Sequence, residues 1–269
     1  MNILKSLTVI CCFAMLAPVA EASSQSVFLE DLTWTELRDA VAAGKTTIII
    51  PVGGTEQSGP LLALGKHNVR VHFLAGKIAE GLGNAIVAPV MAYVPEGNIF
   101  PPTEHMKFPG TITISDHVFE QILESAARGF RQNGFKNIVL IGDHGSYQSD
   151  FAVVANTLNK QWSGTDVKVH FIRQYYRAAQ DDYAAALLSH GVKQGEIGTH
   201  AALADTSLML AVDPQMVRSE GLASASHLGA ADGIYGGDPT RSSAELGQLG
   251  VNLIVRQSVE AIRLAIQSK

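Results

Sequence analysis

Residues 46–67 read TTIIIPVGGTEQSGPLLALGKH, a β-branched run that passes into a loop rich in glycine and proline. A strand that ends in such a loop places the loop side chains at the carboxyl edge of a sheet, where open α/β folds bind their ligands. This loop carries Glu56 and His67, and a second run of the same form, residues 137–145, carries His144. One carboxylate and two imidazoles at strand ends predict a divalent metal site with a position open to water.

Strands and helices alternate along most of the chain, which is typical of a three-layer α/β/α fold with a mostly parallel central sheet. The chain shows no internal repeat and no linker, so residues 23–269 are predicted to form one domain. Residues 95–113 and 219–241 are too rich in proline and glycine to be regular, and long loops in compact domains often carry function. We predict strands over residues 46–52, 85–94, 137–142 and 166–173, a first helix ending at residue 43, and helices over residues 68–80, 115–133, 149–162, 206–212 and 244–267.

The composition of the chain restricts the kinds of protein that it can be. The chain has 269 residues, of which 46% are hydrophobic and 17% charged, as expected of one large globular domain with a sizeable core. The net charge of −5 comes without a long basic block, which argues against a nucleic-acid partner and against a polyanionic substrate.

The N-terminus has the features of a secretory signal. Lys5 precedes an apolar stretch at residues 7–17, and residues 20–22 form a small-x-small cleavage site, so residues 1–22 are predicted to be removed on export. The protein is then secreted or periplasmic and has no further membrane segment; the alternative is a retained membrane anchor. Both cysteines lie in the removed segment, so a metal site in the mature chain must use His, Asp and Glu.

Five ordered motifs resemble those of the creatininase (creatinine amidohydrolase) family. They are PVGGTEQSGP (51–60), TEHMKFPGTITIS (103–115), IVLIGDHGS (138–146), THAALADTSLML (199–210) and YGGDP (235–239). The resemblance implies a creatininase-like fold and hydrolysis of a C–N bond, in an amide, cyclic amide or formamide, within a small-molecule substrate. It also implies a metal centre and a homo-oligomer, which is usually a hexamer in the family.

The chain departs from the family pattern at positions where the family holds two metals. Glu56 and His144 match family ligands, but Ser58 and Ser146 stand where a ligand His and a ligand Glu are expected. His67 stands where the family has an Asp that bridges both metals. Because a neutral imidazole offers one lone pair and cannot bridge, we expect a mononuclear centre of Glu56, His67 and His144. Zinc is the expected metal, with iron or manganese as alternatives.

Three further residues are predicted to act in catalysis by their match to the family. His200 would pass a proton to the leaving nitrogen, and His105 would line the substrate cavity and stabilise the oxyanion. Asp205 would orient a ligand imidazole or reach a second metal, unless it only caps the helix at residues 206–212.

Simpler interpretations stay open at this point. Taken alone, Glu56 and His67 could be exposed, and His144 could be a hydrogen-bonded core histidine. Loss of two ligand positions could leave a periplasmic small-molecule-binding protein without metal or catalysis. His200 and Asp205 could instead rebuild a centre of two metals.

Overall fold

The structure is a computed structural model and describes residues 26–267. The predicted signal segment lies outside the described residues. The strands are β1 (Thr47–Val52), β2 (Ala85–Val87), β3 (Asn137–Gly142), β4 (Lys168–Phe171), β5 (Gly198–His200) and β6 (Tyr235–Gly237). The α-helices are α1 (Trp34–Ala42), α2 (Lys66–Leu82), α3 (Asp116–Gln132), α4 (Gln148–Gln161), α5 (Arg173–Arg177), α6 (Tyr183–Ser189), α7 (Gln194–Ile197), α8 (Leu203–Val212) and α9 (Ala244–Gln267).

The central sheet has the strand order β2-β1-β3-β4, and all of its neighbouring strands are parallel. Strands β1 and β3 pair over their whole length and end together, with Val52 opposite Gly142. The loops that follow these two strands therefore leave from the same edge of the sheet, and they carry Glu56 and His144. Strands β5 and β6 form a small antiparallel pair beside the sheet.

Helices cover both faces of the sheet, which confirms the predicted three-layer α/β/α fold. On one face Ile49 packs in a cluster with Leu74 of α2 and Ile254 of α9. On the other face Ile50 packs in a cluster with Phe119 and Phe151 of α3 and α4. Strands buried on both faces read as continuous apolar runs, which explains the β-branched sequence of β1. No helix within residues 26–267 is both long and apolar enough to cross a bilayer.

Most predicted elements are present, but two boundaries differ in ways that matter. Strand β2 ends at Val87, so the prediction of a strand to residue 94 was wrong. Pro89 has no N–H to donate to the sheet, and beyond it a single bridge joins Met91 to Val52. Helix α2 begins at Lys66, two residues earlier than predicted, which places His67 in its first turn.

The loop at residues 95–113 is irregular, as predicted, apart from a 3₁₀ turn at Glu104–Lys107. Hydrogen bonds tie it to the loop after β1. The Ile112 N–H donates to the Thr55 carbonyl (3.0 Å), and the Gln57 N–H donates to the Thr111 hydroxyl (3.1 Å). Because the two loops are joined in this way, side chains of the irregular loop lie beside Glu56.

Candidate metal centre

Glu56, His67 and His144 meet at the carboxyl edge of the sheet. His67 Nε2 lies 2.7 Å from Glu56 Oε1, and His144 Nε2 lies 3.2 Å from Glu56 Oε2. Their candidate ligand atoms all lie within 4.8 Å of one another. Glu56 is 0% exposed and His67 is 4% exposed, so the alternatives in which they are surface side chains were wrong. The structure thus brings together the three predicted ligands, which come from two loops and one helix.

Asp143 fixes the orientation of His67. Its carboxylate accepts hydrogen bonds from His67 Nδ1 (2.6 Å), Arg70 Nε (2.7 Å) and the Tyr175 hydroxyl (2.7 Å). Burial alone would raise the pKa of Asp143, but the Arg70 charge and the His67 hydrogen bond hold that pKa below its usual range. An ionised Asp143 holds a hydrogen on His67 Nδ1, so Nε2, which contacts Glu56 here, is the nitrogen that would bind a metal.

Ser146 does the same for His144. The Ser146 hydroxyl donates to the Pro95 carbonyl (2.5 Å), and its oxygen lies 2.9 Å from His144 Nδ1. With its own proton committed to Pro95, the hydroxyl oxygen accepts from His144 Nδ1. Two contacts compete at His144 Nδ1, since the Ser146 N–H also points at it from 3.3 Å. The shorter contact, with the hydroxyl oxygen, favours hydrogen on Nδ1, and Nε2 is then the nitrogen that would bind a metal. Ser146 thus orients an imidazole although it is itself a poor ligand.

Two buried cations lie beside these residues, and the sequence analysis missed both. Lys66 is 0% exposed; its ammonium pairs with Asp205 and lies 3.7 Å from Glu56 Oε1. Arg70 Nη1 lies 2.5 Å from the other Asp205 oxygen. Burial would raise the pKa of Asp205, but Lys66 and Arg70 hold it well below its usual range. A cation at the first residue of a helix opposes the helix dipole, and this is a sequence signal for Lys66.

The negative charge of Asp205 is therefore shared between the Lys66 ammonium and the Arg70 guanidinium. The alternative in which Asp205 only caps a helix was wrong, because α8 begins at Leu203, Asp205 lies inside its first turn, and its carboxylate pairs with both cations. Its carboxylate also accepts a hydrogen bond from the Ala201 N–H, at 3.0 Å. Among the residues described, no hydrogen bond joins it to His67 or His144, so the structure gives no direct contact through which Asp205 orients a ligand imidazole.

His105 and His200 lie on the other side of Glu56. His105 Nε2 is 3.2 Å from Glu56 Oε2, and His200 Nδ1 is 3.5 Å from Glu56 Oε1. Gln57 sets their protons: its Oε1 accepts from the Gly59 N–H (2.9 Å), so its Nε2 donates to His105 Nδ1 (2.9 Å). His105 then carries hydrogen on Nε2, the nitrogen that faces Glu56.

His200 is held as a neutral ring. Its Nε2 donates to the Gln57 carbonyl (2.9 Å). Burial and then the positive charge of Lys66 lower the pKa of His200 to about 3. The ring therefore does not take up a proton near neutral pH, which weakens the case for His200 as the group that carries a proton.

Glu96 is a further site residue that the sequence analysis missed. It is 2% exposed, and its Oε2 lies 3.6 Å from His144 Nε2. Burial raises the pKa of Glu96 to about 8; the His144 charge opposes this rise and the Glu56 charge adds to it. The sequence feature that could have indicated Glu96 is its position between Pro95 and Gly97, in a loop already predicted to be functional.

The donor atoms of this site fit a cation. Glu56 Oε2 and both oxygens of Glu96 are buried, and within residues 26–267 no donor meets them with hydrogen-bond geometry, although His105 Nε2 lies 3.2 Å from Glu56 Oε2. Leaving buried carboxylate oxygens without donors is costly unless a cation compensates them. Two carboxylates and two imidazoles that present Nε2 are ligand types that zinc, iron and manganese all accept.

Two cavities adjoin the centre, with volumes of about 590 Å³ and about 210 Å³. His105 and His144 line both of them, so Glu56 and its partners lie between the two spaces. The larger cavity has the size expected of a site for a small molecule.

Comparison with known proteins agrees with the motifs. The sequence profile of the creatininase family, described as creatinine amidohydrolase, matches residues 30–262. The 3-dehydro-scyllo-inosose hydrolase of Thermotoga maritima is 26% identical over 72% of this chain and 58% of its own length. The creatinine amidohydrolase of Pseudomonas putida is 27% identical over 72% of this chain and 75% of its own length.

Solved structures agree as well. A crystal structure of creatinine amidohydrolase superimposes with a TM-score of 0.74 at 25% identity, covering 91% of this chain and all of the other. Other solved creatininases are named as a manganese form and as a Zn-Zn type. The family profile spans most of the chain and the fold agrees, which confirms the resemblance drawn from the motifs: the chain belongs to the creatininase family of amidohydrolases.

Proposed function

We propose that this protein is a metal-dependent hydrolase of a C–N bond in a small molecule, with one divalent metal held by Glu56, His67 and His144. The observation that carries the proposal is the buried convergence of these side chains, with both imidazoles oriented to offer Nε2. Zinc is the metal we expect, and manganese or iron would also suit the donor set.

The charges around Glu56 favour one metal over two. A second cation beside Glu56 would approach the buried ammonium of Lys66, which lies 3.7 Å from Glu56 Oε1, and like charges repel strongly where water is excluded. Candidate ligand atoms of Glu56, His105 and His200 also lie within 4.8 Å of one another, so distance alone would allow a second cation there. The hydrogen on His105 argues against it. Gln57 leaves hydrogen on the His105 nitrogen that faces Glu56, so that nitrogen has no lone pair to offer.

A divalent metal at this site would lower the pKa of a bound water and polarise a carbonyl. The chain's own residues would then position the substrate and move protons. Burial lowers the pKa of His105, as it does that of His200. Its Nε2–H nevertheless faces Glu56 and its ring lines both cavities, so we assign proton transfer to His105. The low pKa of His200 fits a neutral ring that positions Gln57 and takes no part in proton transfer. Proton transfer of this kind contributes roughly 10²–10⁴-fold in rate.

A small polar amide, cyclic amide or formamide is the substrate class that we propose. Two of the relatives are named as hydrolases of small molecules, and the adjoining cavities are of matching size. We further propose that the protein is exported and assembles as a homo-oligomer, on the basis of its N-terminal residues and its family.

The proposal is tested with purified protein loaded with zinc and a panel of formamides and linear and cyclic amides. We expect turnover of at least one class, its loss on chelation, its return on adding metal, and its loss in His144→Ala. His117→Ala, which removes an exposed histidine, is the matched control and should retain activity. Turnover that survives both chelation and His144→Ala would overturn the proposal.

A further inference from the structure

The carboxyl group of Glu96 lies in the candidate metal centre with another acidic group, Glu56, as its hydrogen-bond neighbour, and no donor within residues 26–267 accounts for its burial. The side chain is 2% exposed, and neither oxygen accepts a hydrogen bond from any described residue. The one basic side chain within 4 Å, again among residues 26–267, is the His144 ring, whose Nε2 lies 3.6 Å from Glu96 Oε2. That nitrogen is the atom with which His144 would bind the metal.

The backbone holds Glu96 in this position. The Glu96 N–H donates to the Thr113 hydroxyl (2.9 Å), and the preceding carbonyl, that of Pro95, accepts from Ser146 (2.5 Å). Ser146 also contacts His144 Nδ1, so one hydroxyl links the Glu96 loop to a predicted ligand. Both hydrogen bonds fix the peptide unit between Pro95 and Glu96, and this orients the Glu96 side chain toward the candidate centre.

Gly54 makes room for the carboxylate. It has a positive φ of 149°, and a Cβ at this position would lie 2.8 Å from Glu96 Oε1. Any other residue here would press against the carboxylate. The loop after β1 therefore supplies Glu56 as a candidate ligand and also the space that Glu96 occupies.

We propose that Glu96 is a fourth protein ligand of the metal held by Glu56, His67 and His144. This inference rests on the proposed function, since it concerns the same metal. The charges support it: two carboxylates balance one divalent cation, and a cation would compensate the unpaired oxygens of both Glu56 and Glu96. Glu96 also lines the larger cavity, so the ligand lies next to the space for substrate.

Zinc affinity measured by competition with a chromophoric chelator tests the inference. We expect Glu96→Gln to weaken zinc binding by on the order of 100-fold. Loss of a residue that only orients a ligand typically weakens metal binding by about 10–100-fold, so the loss of a ligand should reach at least the upper end of that range. The matched control is Glu104→Gln, an exposed carboxylate of the same loop, which should bind zinc as the native protein does. In the Co²⁺-loaded protein, Glu96→Gln should change the visible absorption bands, and Glu104→Gln should not.

A second pair of outcomes separates this inference from the proposed function. If His144→Ala abolishes zinc binding while Glu96→Gln keeps native affinity and native Co²⁺ bands, Glu96 is not a ligand, although the metal centre stands. If His144→Ala also binds zinc normally, the proposed centre itself fails. Should Glu96→Gln not fold, Glu96→Asp replaces it: a carboxylate shortened by one methylene should weaken zinc binding, and native affinity would again overturn the inference.

Discussion

Asp143→Asn probes how the chain orients its metal ligands. Asp143 accepts from three donors, and two of them are His67 Nδ1 and the buried guanidinium of Arg70. An amide of the same shape keeps one acceptor oxygen and loses the charge. We expect zinc affinity to fall about 10–100-fold, the usual effect of removing a hydrogen-bond partner of a metal-binding imidazole. That fall corresponds to about 1.4–2.8 kcal/mol of binding free energy.

The same substitution should lower the stability of the metal-free protein. Arg70 would keep Asp205 but lose a buried partner, and breaking a buried ion pair costs about 3–5 kcal/mol. Tyr175→Phe is the matched control, since it removes one hydrogen bond to Asp143 and no charge; it should cost about 1–3 kcal/mol and change zinc affinity less. Urea unfolding measures the stability of each variant, and chelator competition measures its affinity for zinc. Native zinc affinity in Asp143→Asn would refute this account of His67.

Three further predictions concern charge and proton transfer. Lys66→Met removes a cation 3.7 Å from Glu56 Oε1, so chelator competition should show tighter metal binding. Urea unfolding should show that the metal-free variant is less stable by about 3–5 kcal/mol, because Asp205 loses a buried partner. Weaker metal binding would contradict the inference that Lys66 repels a metal at Glu56. His105→Gln should lower kcat by roughly 10²–10⁴-fold with unchanged zinc content by mass spectrometry, and loss of zinc would make His105 a ligand instead. Burial and the charges of Asp116 and Glu120 raise the pKa of Asp150 from 3.8 to about 6, so ionisation of Asp150 should destabilise the folded state as pH rises from 3.8 to about 6. In Asp150→Asn, urea unfolding at pH 4 and pH 7 should show that this contribution to the pH dependence of stability is lost. An unchanged pH dependence would contradict the prediction.

The layout of the centre could be predicted from the sequence because it follows from strand order. Glu56 and His144 each follow an apolar run, and parallel strands in register bring their carboxyl ends to one edge. His67 joined them because α2 begins beside the same edge. The overlong prediction for β2 shows the limit of apolar pattern alone, since Pro89 interrupts the strand and the chain remains extended without regular pairing.

Other features depend on contacts between distant segments, which no local pattern encodes. Lys66 meets Asp205 across 139 positions of the chain, and nothing near either residue indicates its partner. The place of Glu96 depends on hydrogen bonds made by Thr113 and Ser146 to an irregular loop. The proton-transfer role predicted for His200 was drawn from a motif match, whereas its low pKa arises from burial and from Lys66, which only the folded structure shows.

The number of metal ions per chain tests the central claim most directly. Purified protein is loaded with zinc, freed of excess metal and measured by mass spectrometry, with His144→Ala and His117→Ala in parallel. We predict one zinc per chain in the native protein and in His117→Ala, and none in folded His144→Ala. Two zinc ions per native chain, or none, would contradict a single metal held by Glu56, His67 and His144.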